Sequence, residues 1–311
     1  MKLDNDPMAG PDAAPELSTA AAYARYEAIR SRLPAAVPPA RPPVYGAGLL
    51  DTVAEYDGYV FDSFGVLNVG ETAIPGAATC LNALRAMGKG ICVLTNAASY
   101  TSDDAFTKYR RLGLDIRRAE IVSSRDVALA HLEAVAPGIR WGAISAADDS
   151  FADFNADVFD LLSGGQDWDR ADGLLFLSSA RWTPALQDQL VAELRRRPRP
   201  VVIANPDLVA PREGGLSVEP GWWAHDLQDR TGIEPDYFGK PYAAAFTAAA
   251  ACLGSGRLAM VGDTLHTDIL GGQAAGLATI LVTRHGLFAG ENVEGYIADS
   301  GIVPDWIMPS I

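Results

Sequence analysis

The sequence predicts an α/β fold: a parallel-sheet core interrupted by a smaller α/β unit. Three observations carry that prediction. From Leu49 onward, short apolar runs alternate with stretches of helical length, the pattern of strand–helix–strand units whose strands run parallel. Several runs end in small polar or acidic residues, which belong at the carboxyl ends of strands, where open α/β sheets form their ligand crevices. Between 139 and 231 the alternation has its own strand and helix signals.

The elements follow in chain order. Residues 1–45 form an N-terminal extension, Ala- and Pro-rich, with one helix around 17–33 and a linker from Pro34 to Pro43. The core is expected over 46–138 and 232–311, with strands at Gly58–Asp62, Gly90–Leu94, Glu120–Ser123, Leu258–Gly262 and Thr279–Thr283. Helices at Ala77–Met87 and Asp103–Leu112 end at Gly88 and Gly113, residues that stop helices readily. The insertion, 139–231, has strands at Trp141–Ser145, Gly173–Leu177 and Val201–Ala204 and a helix at Pro184–Arg197. The run Arg195-Arg196-Arg197-Pro198-Arg199 is read as cations meeting the negative end of that helix dipole, in preference to a phosphate site.

Charge narrows the partners. The 311 residues carry a net charge of −14, which argues against nucleic acid or an anionic membrane surface as partner. Any anionic substrate then needs positive charge supplied locally. Cys80, Cys92 and Cys252 lie in apolar contexts without paired spacing and read as buried thiols of a reducing compartment. The acidic start Met1-Lys2-Leu3-Asp4-Asn5-Asp6 lacks an apolar stretch, and no run approaches a membrane span, so the expected location is cytoplasmic.

Four short segments carry chemistry. Asp62 follows the apolar run Tyr59-Val60-Phe61 and opens Asp62-Ser63-Phe64-Gly65-Val66-Leu67; it suits a nucleophile, a metal ligand or a turn. Thr95 and Asn96 close a second apolar run and offer hydrogen bonds to phosphoryl oxygens, or simply cap a turn. Lys240 sits in Gly239-Lys240-Pro241, a bounded turn that positions its charge. Asp263 and Asp268 lie in Gly262-Asp263-Thr264-Leu265-His266-Thr267-Asp268, two carboxylates between a strand and a Gly-rich helix, and such oxygen ligands suit Mg²⁺.

In this order the segments resemble the four motifs of the haloacid dehalogenase (HAD) superfamily. The insertion between the second and third motifs resembles the C2-type cap of its class IIA, NagD-like branch, as do Ala204-Asn205-Pro206-Asp207 and Glu234-Pro235. The match runs over residues 50–311. It implies a Rossmann-like core with an inserted α/β cap, and a Mg²⁺-dependent phosphatase acting on a small phosphorylated metabolite. Asp62 would be the catalytic nucleophile, with Lys240 neutralising charge. Thr95, Asn96 and Lys240 would bind phosphate. Asp62, the backbone carbonyl of Phe64, Asp263 and Asp268 would hold the metal. Asn205 and Asp207 would touch substrate from the cap, and relatives of this branch often associate through their caps.

One departure stands out. Phosphatases of the superfamily carry a second aspartate, a general acid and base, where this chain has Phe64. Poor leaving groups should suffer, since such proton transfer is worth about 10²–10⁴-fold. A non-hydrolytic phosphometabolite-binding protein and a metal-free dehalogenase are the alternatives, the latter disfavoured by Asp263 and Asp268. His266 reads as an exposed loop residue, with a catalytic role as the lesser option. Trp222 and Trp223 read as packing residues.

Overall fold

The computed structural model describes residues 17–311. Helix α1 (Thr19–Ala28) leads to a short edge strand β1 (Val44–Tyr45) and then to β2 (Gly58–Phe61). A small hairpin, β3 (Asn68–Val69) and β4 (Thr72–Ala73), precedes α2 (Ala77–Ala86), β5 (Gly90–Thr95), α3 (Ser102–Arg111), β6 (Ile121–Ser123) and α4 (Ser124–Val135). The insertion contributes β7 (Arg140–Ile144), β8 (Asp157–Asp160), β9 (Gly173–Phe176), α5 (Pro184–Arg196) and β10 (Val201–Ile203). It continues with a hairpin of β11 (Val209–Arg212) and β12 (Gly215–Val218), α6 (Pro220–Thr231) and β13 (Asp236–Tyr237). The chain closes with α7 (Ala243–Leu253), β14 (Leu258–Gly262), α8 (Leu270–Ala274), β15 (Ala278–Val282), α9 (Val293–Ser300) and β16 (Trp306–Met308).

Seven strands form the core sheet in the order β1-β16-β15-β14-β2-β5-β6, every pairing parallel. Alternation along β2 explains its two covered faces. Tyr59 and Phe61 pack with Leu81, Leu84 and Tyr109 from α2 and α3, while Val60 faces Ala245, Phe246 and Ala249 of α7. The insertion builds a second parallel sheet, β13-β10-β9-β7-β8. One face packs on α5 and α6, through Leu190, Leu194 and Leu227. The other carries Trp141, Leu175 and Val202 against Val127, Ala128 and Leu132 of α4. This is an α/β molecule with a Rossmann-like core and an inserted α/β cap.

Several ends differ from the sequence reading. Thr95 is the last residue of β5, one beyond the expected end, and pairs with Ser123. Strands β8 and β13 carry too few apolar residues to show in the pattern, yet β13 completes the cap sheet, so the chain returns to the core only after Tyr237. The arginines after α5 are structural: Arg197 pairs with Asp172 at 2.9 Å, and Arg199 donates to the carbonyls of Trp168 and Ala171. Cys80 and Cys92 are buried, whereas Cys252 is partly exposed. Among the described residues no helix is long and apolar enough to cross a membrane.

Candidate active site

The strands bearing the acidic segments are neighbours, β14-β2-β5, so their carboxyl ends deliver Asp263, Asp62 and Asn96 to one edge of the sheet. Asp62 continues the ladder by donating its N–H to the carbonyl of Val261 at 2.9 Å. Its Oδ1 accepts from the Ser63 N–H at 2.7 Å. Gly65 then turns the chain with φ of +81°, and a Cβ there would lie 2.7 Å from the Asp263 carboxylate. Gly286 opens the other side of Asp263 in the same way, since a Cβ there would overlap Oδ2.

The acidic loop is wound unusually wide. Leu265–Ile269 forms one π-type turn, a distortion that often marks functional sites. It turns Asp268 back so that Oδ2 accepts from the N–H groups of Asp263 (3.2 Å) and Thr264 (3.0 Å). Asp263 Oδ2 accepts from the Leu287 N–H at 2.6 Å.

Lys240 arrives from the segment that returns from the cap. Asn96 fixes it at both ends of the residue's backbone: Oδ1 accepts from Lys240 N–H at 2.7 Å, and Nδ2 donates to Lys240 C=O at 3.0 Å. The buried ammonium then lies 2.5 Å from Asp62 Oδ1 and 2.8 Å from Asp268 Oδ1. Asn96 Nδ2 also donates to Asp207 Oδ1 at 2.7 Å, which ties the cap to the same point.

Burial dominates the electrostatics. It pushes the Asp62 carboxyl up to about 6, against the pull of Lys240. Asp263 is raised well above the carboxylate range, by burial and then by the charges of Asp268 and Asp62. Asp207 is pushed up to about 8, again chiefly by burial. Burial opposes the charge on Lys240, but Asp268, Asp62 and Asp207 outweigh it and hold its ammonium above the ordinary value.

This arrangement fits a divalent cation. One ligand atom from each of Asp62, Asp263 and Asp268 can be chosen so that all lie within 4.8 Å of one another. Asp268 Oδ1 is fully buried and has no aligned hydrogen-bond donor, only the nearby ammonium. Three buried carboxylates face one lysine, and hard carboxylate oxygens are what Mg²⁺ takes.

Thr95, Asn96, Asp207, Phe64 and Thr267 line the cleft with Asp62 and Asp263. Asn205 lines an adjoining compartment with Tyr100, Arg212 and Phe64, and donates to Glu219 at 3.1 Å. The sequence reading missed the surroundings of Phe64. Lys108 Nζ lies 4.4 Å and Arg212 Cζ 4.8 Å from its ring centre. The Pro-Arg-Glu-Gly-Gly turn holding Arg212 was the available signal. His266 is neither exposed nor in the cleft: it is buried, stacked on Tyr26, with Nε2 2.6 Å from Glu27 Oε1. A larger cavity of about 630 Å³, lined by Leu17, Trp182, Trp222 and Trp223, shares no residue with the carboxylate cluster.

Comparison with known proteins gives the family. A haloacid dehalogenase-like hydrolase family model matches residues 59–150, and a second, HAD-hydrolase-like model matches 237–311. The glycerol-3-phosphate phosphatase of Gallus gallus is 30% identical, with 83% of this chain and 91% of that protein aligned. The chain belongs to the haloacid dehalogenase-like hydrolases. Within that family it falls in the class IIA, NagD-like branch. A possible sugar phosphatase of this HAD superfamily from Cytophaga hutchinsonii superposes with a TM-score of 0.74 at 26% identity, covering 86% of this chain and 98% of the other. The glycerol phosphate phosphatase of Mycobacterium tuberculosis, solved in complex with magnesium, gives 0.61 at 28% identity, covering 74% and 68%.

Proposed function

We propose that the protein is a Mg²⁺-dependent phosphatase of small phosphorylated metabolites that works through an aspartyl-phosphate on Asp62. The observation that carries this is the ion-paired cluster of Asp62, Lys240 and Asp268 beside Asp263, at the carboxyl ends of adjacent strands. The phosphatase names of the relatives and the magnesium complex of one of them support it.

In the first step an oxygen of Asp62 attacks phosphorus, and the bond from phosphorus to the leaving oxygen breaks. Water then attacks the phosphorus of the aspartyl-phosphate, which releases inorganic phosphate and restores the carboxylate. Two anions must meet, so charge neutralisation is the main task. Lys240 meets part of it from 2.5 Å. Asp62, Asp263 and Asp268, with the backbone carbonyl of Phe64, would hold Mg²⁺, which when bound supplies the remaining positive charge. Thr95 offers its hydroxyl to the phosphoryl oxygens, while Asn96, whose two amide hydrogens already serve the Lys240 carbonyl and Asp207, contributes by fixing Lys240. Asn205 and Asp207 face the substrate from the cap. Phe64 moves no proton, so the leaving oxygen takes its proton from solvent. Aryl and acyl phosphates, whose leaving groups need little protonation, are therefore the favoured substrates.

The test is phosphate release from p-nitrophenyl phosphate with Mg²⁺ or EDTA, comparing the native chain with Asp62→Asn. Turnover is expected with Mg²⁺, and none with EDTA or in the variant. No turnover in the native chain, with phosphate still bound in a calorimeter, would replace this reading with a phosphometabolite-binding protein.

A further inference from the structure

Helix α1 touches both halves of the molecule. Its buried face, Ala22, Tyr26 and Ile29, follows helical spacing and packs with Leu265, Ile269 and Phe288 of the core. Thr19 Oγ1 donates to the Leu287 carbonyl at 2.9 Å, and Glu27 binds His266 in the acidic loop. Toward the cap, Arg25 Nη2 meets Asp229 Oδ2 at 2.7 Å, and Arg32 pairs with the other oxygen of Asp229. Arg32 Nη1 donates to the His225 carbonyl at 3.3 Å, and the Tyr26 hydroxyl accepts from the Leu208 N–H at 3.1 Å.

A second fastening lies on the cap hairpin. Glu213, at the turn between β11 and β12, accepts from the Glu71 N–H at 2.9 Å in the turn between β3 and β4. The cleft closed by these contacts has two compartments of about 20 and 40 Å³. Since one water needs about 10–15 Å³, a few waters fit and a phosphate ester does not. Substrate therefore enters only when the cap shifts from the core. At α4 the buried Arg125 ties core to cap, paired with Asp149 and with Asp153 at 2.7 Å each, so that side stays fixed. The pairs of Arg25 and Arg32 with Asp229, by contrast, are partly exposed and separate at lower cost.

We propose that α1 and the turn that follows it, Arg30–Arg32, form a strap that holds the cap down on the core, with Arg25, Arg32 and Tyr26 setting how often the cleft opens. The strap acts at a distance: loosening its grip at Asp229 loosens the hairpin latch at Glu71, because one cap carries both.

Hydrogen exchange of the full chain, read by mass spectrometry, tests this without substrate, so it stands apart from the phosphatase reading. Asp229 is a partly exposed surface residue, and its replacement removes no core contact. Asp229→Arg is expected to speed exchange roughly three- to ten-fold at Leu208 and also at residues 68–73. Asp229→Asn, a milder change, should give about two- to three-fold. Combining Arg25→Asp and Arg32→Asp with Asp229→Arg restores opposite charges and should return residues 68–73 to the native rate. Faster exchange confined to α1 and α6, or no return in the combined variant, would overturn the proposal.

Discussion

Phe64 stands where a proton donor would be expected, and its neighbours show that the site could accept one. Lys108 and Arg212 flank the ring at 4.4 and 4.8 Å from its centre, a pair of cations that would stabilise a carboxylate put in its place. Phe64→Asp should therefore raise turnover of alkyl phosphates by about 10²-fold or more and leave aryl phosphates nearly unchanged. An unchanged rate on alkyl phosphates in the variant, or the same fold-change on both substrate classes, would show that protonation of the leaving group is not what Phe64 removes. His225 makes a prediction about stability. Burial, with Arg32 and Arg25 nearby, lowers its value to about 3, so in the folded chain it stays neutral over most of the acid range. The unfolded chain binds that proton near 6.5, and the folded chain does not until about 3. Stability is thus lost as pH falls through this window, by about 1.4 kcal/mol per unit. His225→Gln should lose less stability between about pH 6.5 and 4.5 than the native chain, and parallel denaturation curves would count against this. His266 teaches a related lesson: its place in an acidic loop suggested exposure, and only the packing of Tyr26 over it reveals otherwise.

At the scale of elements, the loops of the site are built around room for carboxylates. A side chain at Gly286 would overlap Asp263, and one at Gly262 would overlap the Cβ of Asp268. Gly286→Ala is expected to displace Asp263, weakening metal binding about ten-fold or more and destabilising the fold by about 1–3 kcal/mol. Calorimetric titration with Mg²⁺ checks the first effect and urea unfolding the second; unchanged metal affinity would mean that Asp263 does not bind the ion. The core strands were legible because they are fully buried and nearly unbroken in apolarity, as in Tyr59-Val60-Phe61 and Ile91-Cys92-Val93-Leu94. The hairpins were not, since Asn68–Val69 and Val209–Arg212 are too short to show a period, and their positions are set by contacts such as Glu213 on Glu71. Asp62, Thr95, Asn96, Lys240, Asp263 and Asp268 could be picked out from strand ends and spacing. The cations around Phe64 could not, because α3 and the cap hairpin meet there only in the folded chain.

Over the whole molecule, a net charge of −14 surrounds a cleft that must receive an anion, which leaves the work of attraction to Lys240, to Lys108 and Arg212 beside Phe64, and to a metal when bound. Because the carboxylates gather only in the folded chain, Mg²⁺ should stabilise the native state by about 2.7 kcal/mol at roughly a hundred times its dissociation constant. Scanning calorimetry should show a melting temperature that rises with Mg²⁺ and falls back with EDTA; a melting curve indifferent to both would remove the metal from the site. The order of the core sheet has a further consequence, for how the chain is made. Strand β2 lies between β5, which follows it closely, and β14, which emerges only after the entire cap. During synthesis at about 5–20 residues per second, one edge of β2 waits about 10–40 s for its partner, with the hydrogen-bonding groups of Tyr59–Phe61 open to other chains. The nascent half-core is thus the stage most open to aggregation, and a chaperone that shields this edge until residue 262 has left the ribosome would improve yield more than one acting on the finished protein.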